Sequence, residues 1–236
     1  AFFNHKQFKQ FDPNGLTGSS VMCFAESPAG DIFIGTEGTG LNIFNRKTGQ
    51  IKPYRLPQQR ANVSSVIALE TNQNILWVGT YQGGLYNVNL TTGASTYFHI
   101  SKNEKDTKDV PVNCFKTDKN GKVWMGTNGI AVVRYDPATR KIEDGETIFG
   151  AKGTKFPLNN FITSIEQDKS GNVWFGSNGT GIAVYFPNEN RFQVLNYGNS
   201  GLPMDRVQTI HCDKSGRIWV GCLGGGLCLY KPDTKT

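Results

Sequence analysis

A five-residue pattern recurs five times along the chain and limits what it can fold into more than any other feature. Ile32-Phe33-Ile34-Gly35-Thr36, Leu76-Trp77-Val78-Gly79-Thr80, Val123-Trp124-Met125-Gly126-Thr127, Val173-Trp174-Phe175-Gly176-Ser177 and Ile218-Trp219-Val220-Gly221-Cys222 each place an aromatic residue two positions before a glycine. The glycines are 44, 47, 50 and 45 residues apart. A period of this length belongs to propeller blades or to paired-helix repeats, so the local pattern has to decide between them.

The local pattern is that of strands. Short alternating runs precede each aromatic, as in Val112-Asn113-Cys114-Phe115 and Val207-Gln208-Thr209-Ile210. They are followed by Asp118-Lys119-Asn120-Gly121, Asp168-Lys169-Ser170-Gly171 or Asp213-Lys214-Ser215-Gly216, turns whose glycine takes the positive φ that other residues resist. Downstream, glycines lead into a third strand such as Leu41-Asn42-Ile43-Phe44. A polar turn such as Lys47-Thr48-Gly49 then leads into a fourth strand such as Arg191-Phe192-Gln193-Val194-Leu195. The sequence therefore predicts an all-β chain, one β-propeller domain over residues 1–236, built from four-stranded antiparallel blades. Residues 6–11 read as a fourth strand lacking its first three, and the last repeat stops after its third. The expectation is a closed five-bladed ring in which the N-terminal strand completes the last blade, or else part of a larger seven-bladed ring.

Composition narrows the function. With 37% hydrophobic residues, 19% charged residues and 28 glycines, the chain suits a folded, turn-rich β protein. No apolar run approaches the ~20 residues that span a bilayer, and no signal-peptide pattern opens the chain, so direct membrane insertion is not expected. The net charge of +6 is spread without a basic run, which argues against a nucleic-acid partner. Five cysteines occur without metal-ligand spacing, so neither a metal nor any other cofactor is expected. Cys23 and Cys114 hold the repeat position of Ala68, Ser164 and Thr209, which reads as small residues packed in a strand.

The hydrophobic-Trp-hydrophobic-Gly-Thr signature after Asp-x-x-Gly, with Gly-Gly-Leu and the turn Tyr135-Asp136-Pro137 downstream, resembles the two-component regulator propeller repeat over essentially the whole chain. That resemblance implies a periplasmic sensor region of a bacterial hybrid two-component system, responding to a small-molecule or oligosaccharide ligand. Kinase activity, and dimerisation if it occurs, would belong to other parts of the parent protein. One copy departs from the pattern: Ile130 and Ala131 stand where the others carry Gly or Thr and then Gly, which predicts a stiffer loop of different shape.

Strand direction in an up-and-down blade puts the second-to-third turns and the inter-blade segments 12–19, 56–63, 101–111, 150–160 and 197–206 on one face. Long loops on a rigid frame are where binding concentrates. The candidate ligand-binding residues are Arg60, Tyr81, Gln82, Asn128, Asn160, Asn178 and Arg206. This face also carries Lys102, Lys105, Lys108, Lys152 and Lys155 against Glu37, Glu104, Asp106, Asp109 and Asp205. Amides at Asn128 and Asn178 suit sugar hydroxyls, though asparagine also simply tolerates turns. Phe33 and the four Trp read as inter-blade core. No catalytic residues are assigned, because only His5, His99 and His211 exist and the carboxylates fall mostly in hairpin turns. The alternatives are a propeller glycoside hydrolase, a streptogramin-lyase-like lyase, or a protein-protein interaction scaffold. A hydrolase would need two converging carboxylates.

Overall fold

The computed structural model describes residues 15–18, 20–56, 64–103, 105–106, 108–150 and 153–231. They form a five-bladed β-propeller. Blade 1 comprises β1 (Val21–Glu26), β2 (Ile32–Thr36), β3 (Gly40–Phe44) and β4 (Ile51–Pro53). Blade 2 comprises β5 (Val66–Asn72), β6 (Ile75–Thr80), β7 (Leu85–Asn89) and β8 (Ser95–Phe98). Blade 3 has β9 (Val112–Thr117), β10 (Val123–Thr127), β11 (Val132–Asp136) and β12 (Lys141–Asp144), followed by a short helix, α1 (Gly145–Phe149). Blade 4 has β13 (Ile162–Gln167), β14 (Val173–Ser177), β15 (Ile182–Phe186) and β16 (Arg191–Leu195). Blade 5 contributes β17 (Val207–Cys212), β18 (Ile218–Cys222) and β19 (Gly226–Tyr230), and the strand expected at residues 6–11 lies outside the described residues. Every sheet is an antiparallel meander in sequence order. None of the described helices is long and apolar enough to cross a membrane.

The first strands pack side by side in the order β1, β5, β9, β13, β17. Each carries a bulge one residue in from its start. In blades 2 to 5 the first residue of that strand, just before the bulge, seats on the signature glycine of the preceding blade. A β-carbon on Gly35 would lie 2.8 Å from Val66 Cγ1, and one on Gly126 or Gly176 would lie 2.7 Å from Ile162 Cγ2 or Val207 Cγ1. The recurring glycine is thus a matter of space, since no side chain fits where the next blade's Val or Ile makes contact.

The aromatic before each glycine fills the blade-to-blade core. Phe33, Trp77, Trp124 and Trp174 are buried, and Trp77, Trp124 and Trp174 meet Tyr135, Tyr185 and Tyr230 on the third strand of the following blade. Trp219 corrects the expectation of uniform burial: it is only half-buried, because no described blade follows blade 5. Cys23 and Cys114 behave as packed strand residues, and burial pushes both thiols up to about 12. At neutral pH they are therefore thiols, not the reactive thiolate.

Candidate functional site

The Asp-x-x-Gly turns do more than close hairpins. Asp118 Oδ1 accepts the backbone N–H groups of Asn120 and Lys122, and its Oδ2 accepts Trp124 Nε1 at 2.9 Å. Asp168 accepts Trp174 Nε1 at 3.0 Å, and Asp213 accepts Trp219 Nε1 at 2.9 Å. These carboxylates are consumed in joining each turn to its core aromatic, a link that sequence reading missed although the spacing of six residues was visible. On the axis-lining strands, Glu166 pairs with Lys116 and accepts Cys212 N–H, while Glu70 accepts Thr117 N–H at 3.4 Å and is held above the usual carboxylate range by burial. His211 on β17 is exposed, with Nδ1 3.6 Å from Glu166 Oε2. Among the described residues no group of three or more His, Cys, Asp or Glu side chains is placed to hold a metal ion.

On the opposite, loop-bearing face, one backbone bond recurs in all five blades. The N–H groups of Glu37, Tyr81, Asn128, Asn178 and Leu223 donate to the carbonyls of Ser20, Ser65, Pro111, Phe161 and Arg206, which places these five residues equivalently around the rim. Four candidates form one line. Gly129 N–H, next to Asn128, donates to the Asn160 carbonyl; Asn178 N–H donates to Phe161; and Arg206 Nε donates to Asn178 Oδ1 at 3.2 Å. Bridges Asn128↔Phe161 and Asn178↔Arg206 complete this path across blades 3, 4 and 5. Tyr81 and Gln82 are exposed on blade 2, and among the described residues no hydrogen bond joins them to that line. Arg60, Glu104 and Lys152 lie outside the described residues.

Asn160 also belongs to a pocket of about 640 Å³ beside blade 3. Its origin is local. At the start of the third strand the other blades carry Gly40, Gly84, Gly181 and Gly226, all at positive φ. A β-carbon there would come within 2.4 Å of Tyr97 Cε2 in blade 2 and 2.3 Å of the Leu195 carbonyl in blade 4, because the fourth strand runs past it. Blade 3 has Ala131 at this position, at φ 62. Its fourth strand stops with Asp144 opposite Val133 and turns into α1, capped by Asp144 Oδ1 accepting Thr147 N–H at 2.8 Å. That bond, with the Thr147 hydroxyl, holds the Asp144 carboxyl below the usual range. The space left beyond the early end of β12 is the pocket.

Its floor is apolar, formed by Ile130, Ala131, Val132, Phe156 and Leu158, and its wall and rim carry Lys102, Glu146, Lys155 and Asn160. A few polar groups around an apolar floor, at this volume, is the general form of a small-ligand site. The altered third-copy loop was legible in the sequence; the pocket was not, since it needs the early exit into α1.

The sequence profile described as two component regulator propeller matches residues 108–129, 157–179 and 201–224, which lie in the third, fourth and fifth repeats. No curated protein matches the chain in sequence. Among solved structures, it is similar to the extracellular domain assigned to a hybrid two component system of B. thetaiotaomicron, with TM-score 0.74 and 20% identity over 92% of this chain. A second such domain from that organism superposes with TM-score 0.72 and 19% identity over 97% of this chain. The chain spans only 28% and 31% of those two proteins. A catalytically inactive virginiamycin B lyase from Staphylococcus aureus, solved with quinupristin, matches with TM-score 0.66 and 15% identity, over 93% of this chain and 72% of the lyase. At such identities the likeness is one of fold.

Proposed function

We propose, from the premise that this chain carries the repeats of the two component regulator propeller, that it is the ligand-binding part of an extracytoplasmic sensor and that its ligand class is carbohydrate. The observation that carries the binding role is the 640 Å³ pocket and its continuation, through Asn160, into the polar line Asn128, Asn178 and Arg206. An apolar floor suits the face of a sugar ring, and amide and ammonium groups at the rim suit its hydroxyls. The carbohydrate class and the extracytoplasmic location rest on the repeat resemblance and on the extracellular domains whose fold it shares. Binding is favoured over catalysis because the turn carboxylates are committed to Trp124, Trp174 and Trp219 and Glu166 to Lys116. Any kinase output belongs to the longer protein of which this would be a part.

A glycan panel read by calorimetry and thermal shift tests this. A ligand at about 100 times its Kd adds roughly 2.7 kcal/mol of stability. Lys155→Ala, Asn160→Ala and Arg206→Ala should weaken binding while leaving the unliganded melting temperature nearly unchanged. Loss of binding on changing Lys119 or Lys214, on the opposite face, with these three variants binding normally, would overturn the assignment.

A further inference from the structure

The loop between β8 and β9 is fastened by three side chains, Tyr97, His99 and Asp109. Asp109, whose side chain is 5% exposed, accepts hydrogen bonds from Ile100 N–H at 2.7 Å, from His99 Nδ1 at 2.8 Å and from the Tyr97 hydroxyl at 2.9 Å. The first of these recurs in blade 4, where Asp205 Oδ1 accepts Tyr197 N–H at 2.7 Å. Ile100 and Tyr197 hold the same place, two residues past Phe98 and Leu195, which pair with Leu85 and Ile182 on the third strands. Closing such a loop thus takes one aspartate and one backbone donor. Blade 4 has Val194 and Asn196 at the positions of Tyr97 and His99, so the phenol and the imidazole are additions of blade 2. Gly84 leaves room for them, since a β-carbon there would lie 2.4 Å from Tyr97 Cε2 and 3.1 Å from Asp109 Cγ.

The partners of His99 assign its protonation. Nδ1 meets the Asp109 carboxylate, and Nε2 meets the carbonyl oxygen of Asp106 at 2.9 Å, an atom that only accepts. A neutral imidazole donates from one nitrogen. The imidazolium donates from both and is the form that satisfies this pair of acceptors. The Tyr97 oxygen stands 3.4 Å from Nδ1, with the Tyr86 ring behind it at 5.3 Å between centroids. The Asp106 carboxylate is taken up by Asn103, whose N–H it accepts at 3.1 Å. Lys102, Lys105 and Lys108 of the same loop are exposed, and among the described residues the one cation paired with Asp109 is His99.

What this loop holds is the wall of the pocket. Ser101 and Lys102 line the cavity, and the Pro111 carbonyl accepts Asn128 N–H at 2.9 Å. A β-carbon on Gly129 would lie 2.8 Å from Val110 Cγ1 and 3.3 Å from Lys102 Cε, so loop and rim are in contact. We propose that His99 is a proton-operated positioning residue for the pocket: as the imidazolium it ties Asp109 to Asp106 and sets the loop that walls the site, and on losing a proton it releases that loop. The inference rests on the reading of the pocket as the ligand site. A neutral His99 keeps a donor for one acceptor and turns a lone pair toward the other. Because the closed loop favours the charged ring, the latch is set at low pH and released as pH rises through the range in which histidine changes charge, about pH 5 to 8. Acidity thereby regulates the shape of the site.

Amide exchange in the full, unliganded chain, measured at about pH 5 and about pH 8 and corrected for the intrinsic rate at each, tests it. In the parent chain, protection at Asp106, Val110 and Asn128 should fall roughly tenfold between the two, the loss expected for one hydrogen bond to a charged group. Tyr197, in the loop that Asp205 closes through backbone alone, should show no such change. His99→Gln should be loose to the same degree at both pH values. Tyr97→Phe, which removes only the phenol's bond to Asp109, should keep the pH dependence. Equal protection at both pH values in the parent chain, or the parent's pH dependence persisting in His99→Gln, overturns the proposal. So does loss of that dependence in Tyr97→Phe, which would move the role to the phenol. Loosening of Asp106 and Val110 that leaves Asn128 and Gly129 unmoved also overturns it, since the latch would not reach the pocket. None of these readings needs a ligand, so failure of the latch and failure of the carbohydrate assignment are told apart.

Discussion

Trp124 and Asp118 are joined by a buried hydrogen bond of 2.9 Å from the indole Nε1 to the carboxylate Oδ2, tying the inter-blade core of blade 3 to the turn that precedes it. The same carboxylate organises the turn through Asn120 and Lys122. Asp118→Ala should therefore cost about 2–3 kcal/mol, since a hydrogen bond to a charged acceptor is lost and a buried donor is left unpaired. Trp124→Phe removes the donor from the other side. Urea denaturation of both single variants and the double variant should give a coupling energy of at least about 1 kcal/mol. Additive losses would show that turn and core are energetically separate.

The equivalent pair in blade 5 makes stability depend on acid. Asp213 is held well below the usual carboxylate range, first by the Trp219 Nε1–H it accepts and then by the Arg217 backbone and side chain. A carboxyl whose folded pKa is depressed contributes stability that is fully present above its unfolded value of about 4 and is lost as pH falls toward the folded one. Urea midpoints measured from pH 6 down to pH 3 should drop less steeply in Asp213→Asn than in the parent chain. An unchanged slope would remove Asp213 from the account of acid sensitivity.

The pocket predicts an asymmetry between two repeat positions. Gly181→Ala should destabilise by more than about 2 kcal/mol, because its methyl would be driven to 2.3 Å from the Leu195 carbonyl at a φ of 79. Ala131→Gly should stay within about 1 kcal/mol of the parent, since relief of the left-handed alanine is offset by the greater freedom of glycine in the unfolded chain. Thermal melts of the two variants check this. Equal effects would mean that the shortened β12 is not what accommodates Ala131.

The signature glycines, the four Trp and the Asp-x-x-Gly turns determined by themselves that this chain forms propeller blades, because a blade needs positive-φ turns, strand alternation and a large aromatic at a regular spacing, all of them local. The face bearing the glycine loops was legible for the same reason, since strand direction alone assigns it. Tertiary structure decided the rest. It showed that the glycine of each signature serves the neighbouring blade's Val or Ile, that the turn aspartates hold the Trp indoles, and that Asn128, Asn160, Asn178 and Arg206 meet whereas Tyr81 and Gln82 stand apart. It also turned one alanine and an early helix into a cavity, and left Val21 exposed where Val66, Val112, Ile162 and Val207 are buried. The glycine and rim contacts join neighbouring blades through residues some 30 positions apart, and a periodic sequence states that they recur without stating what each one touches.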